Sequence, residues 1–570
     1  MTETDVDPAT VEVIRNYLTS AASEMQRTLI RTAYNTIIYE IKDFGLSLYD
    51  ADLNLVADSP GLTLFLGAND YSLEKGVEHV GEDNFEEGDV VIMNYPYWSS
   101  GHTLDVCVIM PIFVASELKG YAVSRAHLLD MGQKDPGYVL DSTDVHQEGL
   151  LFPGTKLYEA GELDEEIRDL LRFNTRVPDK VIGDINAQVA ALRTGTKRFQ
   201  ELYERYGSET VEASIDRILE YGEQSAHDAV EELPDGTWSA VDYADGAVDD
   251  DELLRIETTV TIDGDEMIVD FAGSSDQIDA PFNVPIGMTR TVARLCLKTI
   301  TTPDEESNAG HYAPLTVEVP EDNLYNPSYP APTFAVWPAM LAVDVVYKAL
   351  AKGMPERIPA SSGGDILSVT IYGEHPETGK QIVEATNQGV GWGATAERDG
   401  ESALMHISET MVQNIPIEVL ENKAPVEIDR LSLRQDSGGP GRNRGGLGIR
   451  RDFRFTDEIG ALSIIQKTET DGWGLDGGKP GAKNAVVLYP GTDRERRTGM
   501  MRETFQPGEA LSNQSAGGGG YGDPYERDPE RVLADVVDGY VSREGAREEY
   551  GVVVTEELEI DRDATKARRE

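Results

Sequence analysis

Cysteine is nearly absent from this chain of 570 residues: Cys107 and Cys296 are the only two, they lie far apart, and neither has a histidine near enough in sequence to suggest activation. That excludes a disulfide framework and a thiolate metal cluster, and leaves no Cys-His pairing to read as an activated nucleophile. Lysine is scarce too, with 16 residues against 103 Asp and Glu, and the net charge is −53. Such a field repels polyanions, so nucleic acid is excluded as a partner. No apolar run reaches the ~18 residues that a membrane span needs. The start, MTETDVDPAT, has neither the basic flank nor the apolar core of an export signal. A cytoplasmic protein without membrane contact is therefore expected. The phosphate loop G-x-x-x-x-G-K-[ST] does not occur, and the glycine run from Gly389 has Ala394 where a dinucleotide fingerprint needs its last glycine.

What is present is a large globular chain. Hydrophobic residues make up 40% of it, enough for buried cores, and the length implies two to four domains. The acidic residues are spread along the chain, which reads as a solvated, self-repelling surface of a salt-adapted (halophilic) protein. Val11, Ile14, Leu18, Ala22, Met25 and Leu29 recur at helical spacing after Asp7-Pro8, predicting a helix to about Tyr34. LSLYD and LNLVAD alternate as a hairpin entered through Glu40 and Asp43. Helical patterns follow at about 164–172, 177–207 and 208–232, after which the period changes to alternating strands with an acidic connection near Asp249–Asp251. Two further helices are expected near 291–301 and up to Lys352. From about Pro425 only turns and strands are expected. The reading is α+β and multi-domain: an N-terminal helical domain carrying a metal site (1–235), a central α/β domain (236–424) and a β-rich, Gly-rich C-terminal domain (425–570).

Two stretches carry chemistry. His-x-x-Asp occurs twice, at His102/Asp105 and His127/Asp130, in a chain with eight histidines. Each copy sits at the end of an apolar strand, GHTLDVCVIM and YAVSRAH, so the two could converge on one point. Imidazole with carboxylate is a ligand set for Mn, Fe or Zn, and a histidine bonded to a nearby acid is the alternative. The second stretch is the Gly-rich, Arg-bearing RQDSGGPGRNRGGLGIRR. There Arg442 and Arg444 could contact an anion, or the glycines could simply serve tight β corners.

Several long motifs in order, GHTLD with RAHLLDMG, FAGSSDQIDAPFNVP, DSGGPGRNRGG, LDGGKPGAKN and SAGGGGYGDPYERDP, resemble the hydantoinase B/oxoprolinase family over nearly the whole chain. The resemblance implies a B-type subunit of an ATP-dependent hydrolase that opens cyclic amides: hydantoins, 5-oxoproline or lactams. It implies a hetero-oligomer with an A-type ATPase subunit that binds ATP and Mg. It also implies a divalent metal, manganese first with zinc or iron as the other choices, held by His102, Asp105, His127 and Glu40. Asp43 then becomes the general base, and Asp130 a support that orients a ligand imidazole. Leu128 and Gln133 depart from the polar and small residues common in that family. They keep open the alternative that the resemblance includes, the large subunit of an ATP-dependent ketone carboxylase.

Overall fold

The computed structural model describes residues 6–248 and 252–570; the acidic connection at Asp249–Asp251 lies outside the described residues. The chain divides into two compact units, one of residues 1–237, 259–339 and 411–413, the other of 238–258, 340–410 and 414–570. The stretch 236–424, expected as a separate central domain, is shared between them.

The first unit is built on a seven-stranded sheet. Helix α1 (Pro8–Thr32) leads into strands β1 (Phe44–Asp50) and β2 (Leu55–Pro60), helix α2 (Asn69–Val80), and strands β3 (Val90–Met93), β4 (Asp105–Val114), β5 (Glu117–His127), β6 (Pro153–Glu159) and β7 (Glu162–Leu163). Their order in the sheet is β2-β1-β5-β4-β3-β6-β7. Helices α3 (Glu165–Asn174), α4 (Pro178–Tyr206) and α5 (Ser208–Glu231) follow, and α4 packs on α1, β4 and β5. Ile14, Leu18 and Met25 of α1 and Ile185, Val189 and Leu192 of α4 are buried stripes at helical spacing, which is why these segments are helices with one face covered. The other side of the sheet buries Tyr49, Cys107, Ile109 and Val123 against Leu73 and Val77 of α2. Beyond strand β8 (Gly236–Ala244), β10 (Glu266–Asp270) pairs antiparallel with β9 (Leu254–Asp263) through the Asp263-Gly264 turn. It pairs in parallel with β11 (Leu315–Glu318), which follows α6 (Ile286–Thr301).

After α7 (Trp337–Leu350), the second unit adds β12 (Ser368–Glu374), β13 (Gln381–Thr386), α8 (Ile417–Lys423), β14 (Val426–Leu433), β15 (Ile449–Phe455), β16 (Ile459–Ile464), β17 (Ala485–Leu488), β18 (Arg496–Thr498), β19 (Met501–Phe505) and β20 (Ala510–Gln514). They form two sheets, β13-β12-β16-β19 and β14-β15-β20-β17-β18. The chain then ends in three short helices, α9 (Pro529–Val537), α10 (Arg543–Tyr550) and α11 (Arg562–Arg569), where only turns and strands were expected. Their caps explain them: the side chains of Asp528, Ser542 and Asp561 accept backbone N–H groups of the first turns. Val532, Val536, Ala546 and Tyr550 then bury a small core of their own. Helices of eight or nine residues carry too little periodicity for the pattern to show in sequence.

The glycine-rich loops of this unit pack backbone on backbone. A Cβ at Gly518 would lie 1.9 Å from the Trp392 carbonyl oxygen, and one at Gly391 2.0 Å from that of Gly446. The run beginning at Gly389 belongs to the same packing, since a Cβ at Gly393 would meet the Ala360 carbonyl at 1.8 Å. Gly518→Ala should therefore destabilise the protein by at least about 3 kcal/mol, the upper end for overpacking against atoms that cannot rotate away. Gly264→Ala, at a left-handed turn position with nothing within 4 Å, should cost only about 1 kcal/mol. Denaturant unfolding of the two variants measures the contrast, and equal losses would contradict it.

Candidate metal centre

Register assembles the site. In the pairing of β4 with β5, Asp105 stands directly opposite His127, and in that of β1 with β5, Phe44 stands opposite Ala126. Asp43 therefore enters the sheet beside His127, whose backbone N–H donates to the Asp43 carbonyl at 3.2 Å. Residues facing one another across antiparallel strands share a face. The side chains of Asp43, Asp105 and His127 thus emerge together at one end of three adjacent strands, on the side covered by α2.

His102 reaches the same point from the loop ahead of β4. Its backbone N–H donates to Asp105 Oδ2 at 3.3 Å, and the Asp105 N–H returns to the His102 carbonyl at 2.9 Å. This tight loop needs Gly101, where a Cβ would fall 2.3 Å from Asp105 Oδ2. On the other flank, one five-residue π-helical turn, Ile37–Ile41, ends at Lys42 with a left-handed φ of 69°, and this redirects the chain into Asp43. Buried Asn35 ties that turn to β5 by donating to the His127 carbonyl at 2.9 Å.

The donors converge at short range. His127 Nδ1 is 3.3 Å from Asp105 Oδ1 and 3.5 Å from Asp43 Oδ2, and His102 Nε2 is 3.7 Å from Asp105 Oδ2. His102, Asp105 and His127 are at most 3% exposed, and their donor atoms all lie within 4.8 Å of one another. Bonds of about 2.1 Å to a tetrahedral ion place its ligands about 3.4 Å apart, so these separations fit a transition metal. Asp43 Oδ1 and Asp105 Oδ1 are buried and accept no hydrogen bond, an arrangement that is costly without a cation. Burial pushes the His102 imidazole down to about 4, against the pull of the Asp105 charge, which leaves it neutral as a ligand must be. Burial also raises Asp43, to about 7, with Asp105 adding to the effect and His127 opposing it. His127 is raised because the carboxylates of Asp105 and Asp43 outweigh its burial.

Other expected site residues fall elsewhere. Glu40 is partly exposed on the π-helical turn ahead of Asp43, and its carboxylate is not among the donors that converge within 4.8 Å. Asp130, expected to orient an imidazole, instead binds Arg176: its carboxylate accepts from the guanidinium at 2.8 Å, from the Arg176 backbone N–H and from Gly132 N–H at 3.2 Å. It organises the loop after His127, where the Gln133 side chain closes a further turn by donating to the Gly137 carbonyl. In the second unit Arg444 is buried against Tyr540 and 3.5 Å from Asp535, while Arg442 pairs with Glu526 at the surface.

Sequence reasoning missed the surroundings. Arg125, two residues before His127 on the same face, is fully buried and donates to Asn69, Ser72, Ser99 and the Asp105 carbonyl, a cation set behind the ligands. An arginine inside an apolar strand was the available signal. Tyr138 and Phe334 flank the imidazoles, with Phe334 stacked on His102 at 5.5 Å. Nothing local in the sequence marks either.

Comparison with known proteins adds a second line. The model of the family "Hydantoinase B/oxoprolinase" matches residues 7–524. A chain of Pseudomonas sp. strain NS671, named provisionally as the B-type subunit of a D-/L-hydantoinase, is 34% identical over 99% of this chain and 98% of its own. The beta subunit of the caprolactamase of Pseudomonas jessenii is 33% identical over 99% of both chains. The crystal structure of the ATP-dependent caprolactamase from that organism superimposes with a TM-score of 0.91, over 99% of this chain and 100% of the other, at 30% identity. A nucleotide-free acetone carboxylase shares the fold, with a TM-score of 0.90 at 20% identity over 99% of this chain and 82% of that one.

Gly101→Ala should push the Asp105 carboxylate out of line and weaken metal binding at least about tenfold, within the range seen when ligand-orienting contacts are lost. Titration with cobalt(II), followed by its visible absorption, measures this, and an unchanged affinity would show that the loop does not set the site.

Proposed function

Because this chain belongs to the hydantoinase B/oxoprolinase family, we propose that it is the metal-bearing B-type subunit of an ATP-dependent enzyme that opens a cyclic amide such as a hydantoin, 5-oxoproline or a lactam. The observation that carries this reading is the buried group of His102, Asp105 and His127 with Asp43 against it, in a chain one-third identical to a caprolactamase subunit. An A-type subunit is the proposed partner, since the relatives are named as B-type and beta subunits. That partner would bind ATP with Mg and phosphorylate the amide oxygen, making the ring carbon electrophilic. The working assembly is read as a cytoplasmic, salt-adapted hetero-oligomer.

A divalent cation, manganese first with zinc or iron as the other choices, would supply Lewis acidity and lower the pKa of a coordinated water. His102, Asp105 and His127 would hold it, with Glu40 as a further ligand. Asp43, in reach of the same imidazole, would accept the proton of the attacking water. Arg125 stands behind Asp105 and favours its ionised form, and Phe334 and Tyr138 keep bulk water from the imidazoles.

The test joins the chain to an A-type subunit and follows ADP release with hydantoin, 5-oxoproline and caprolactam. Ring opening coupled to ATP hydrolysis is expected. Asp43→Asn should lower kcat by about 10²- to 10⁴-fold while the protein keeps its metal, as loss of a general base does. Loss of the metal in Asp43→Asn would make Asp43 a ligand instead. ATP turnover that requires bicarbonate and a ketone would replace the hydrolase reading with a carboxylase.

A further inference from the structure

The ligand cluster uses one nitrogen of His127 and leaves the other to be explained. Nδ1 faces Asp105 and Asp43, so Nε2 points away from the cluster, and 3.4 Å from it stands the hydroxyl of Tyr138. A metal-bound histidine commonly donates its second ring N–H to an oxygen acceptor, which fixes both the tautomer and the ring plane. Asp130, the nearest acid in sequence, is committed to Arg176 and Gly132 and does not fill this role.

Tyr138 is itself firmly held. Its ring meets Trp337 edge-on at 5.2 Å and Phe334 edge-on at 5.6 Å, and it also packs 5.5 Å from His102. Phe334 is fixed in turn by the buried Glu148 carboxylate, which accepts the backbone N–H groups of Thr333 and Phe334 at 3.0 Å and the Ser142 hydroxyl at 2.7 Å. A chain of contacts thus runs from a buried carboxylate through two aromatic rings to both imidazoles. Rings packed at right angles leave Tyr138 little freedom, so its hydroxyl stays where His127 Nε2–H can reach it.

We propose that Tyr138 is a positioning residue of the metal centre: its hydroxyl accepts the His127 Nε2–H bond and so keeps Nδ1 as the nitrogen offered to the ion. This rests on the metal-site reading above, and the two fail differently. The experiment uses the full chain stripped with a chelator and titrated with Zn²⁺ by calorimetry, wild type beside Tyr138→Phe, which keeps the ring and removes only the hydroxyl. An increase of about tenfold or more in Kd is expected for the variant, the effect of losing a partner of this kind. Nitrogen-15 NMR of the histidine rings in the two ion-free proteins, at a pH where His127 is neutral, should also show His127 protonated at Nε2 in the wild type and mixed between tautomers in Tyr138→Phe, a change that altered packing alone would not produce. An equal Kd for the two proteins, or a His127 ring protonated at Nε2 to the same extent in both, would overturn the proposal. Failure of the wild type to bind Zn²⁺ at all would overturn the metal-site reading, and this proposal with it.

Discussion

The site depends on the antiparallel register of β5 between β1 and β4. Slipping either pairing by one residue would turn every side chain of the moved strand to the opposite face. Burial on both faces forbids that. Cys107, Ile109 and Val123 are covered on the α2 side, and Leu46, Leu48, Val106 and Val108 are equally buried on the other. Hydrophobic packing thus decides where Asp43, Asp105 and His127 emerge, although none of the three takes part in it. The polar cluster is placed by apolar residues several positions away, and its orphaned carboxylate oxygens persist because the surrounding core leaves them no alternative.

Charge is handled differently at the centre and at the surface. Outside, an excess of acidic residues is dispersed over a solvated skin. Inside, two carboxylates, two imidazoles and the fully buried Arg125 lie within one small volume. Arg125 has only neutral oxygen acceptors among its hydrogen-bond partners, so its charge acts on Asp105 through space rather than through an ion pair. With both imidazoles neutral this group carries one net negative charge, which favours a cation and is the electrostatic counterpart of the separations that fit a metal.

Legibility in the sequence followed the range of the interactions. The long helices α1, α4 and α5 were readable because a buried stripe repeats over many turns. The hairpin of β1 and β2 was readable from its alternation. His102, Asp105 and His127 were legible as a repeated pattern at strand ends, since β4 and β5 are neighbours in sequence as well as in the sheet. What could not be read was non-local. From residues alone Asp43 looked like a hairpin entrance, because the pairing of β1 with β5 spans some seventy intervening residues and leaves no local mark. Phe334 meets His102 from a Pro-rich stretch more than two hundred residues away. The nearness of Asp130 to His127 in sequence suggested a support for an imidazole, whereas the fold commits its carboxylate to Arg176 and the loop after His127. The arginines of the glycine-rich stretch looked like anion contacts because Asp535 and Glu526, their partners, come from helices too short to be seen in the pattern.

The most direct test of this account is elemental analysis of the full chain purified without chelator. Close to one transition-metal ion per chain is expected for the wild type, and almost none for His102→Ala or His127→Ala, because each removes one of the three donors that lie within 4.8 Å of one another. Wild-type protein that takes up no ion even when loaded with excess Mn²⁺, Zn²⁺ or Fe²⁺, or variants that keep their full complement, would contradict it.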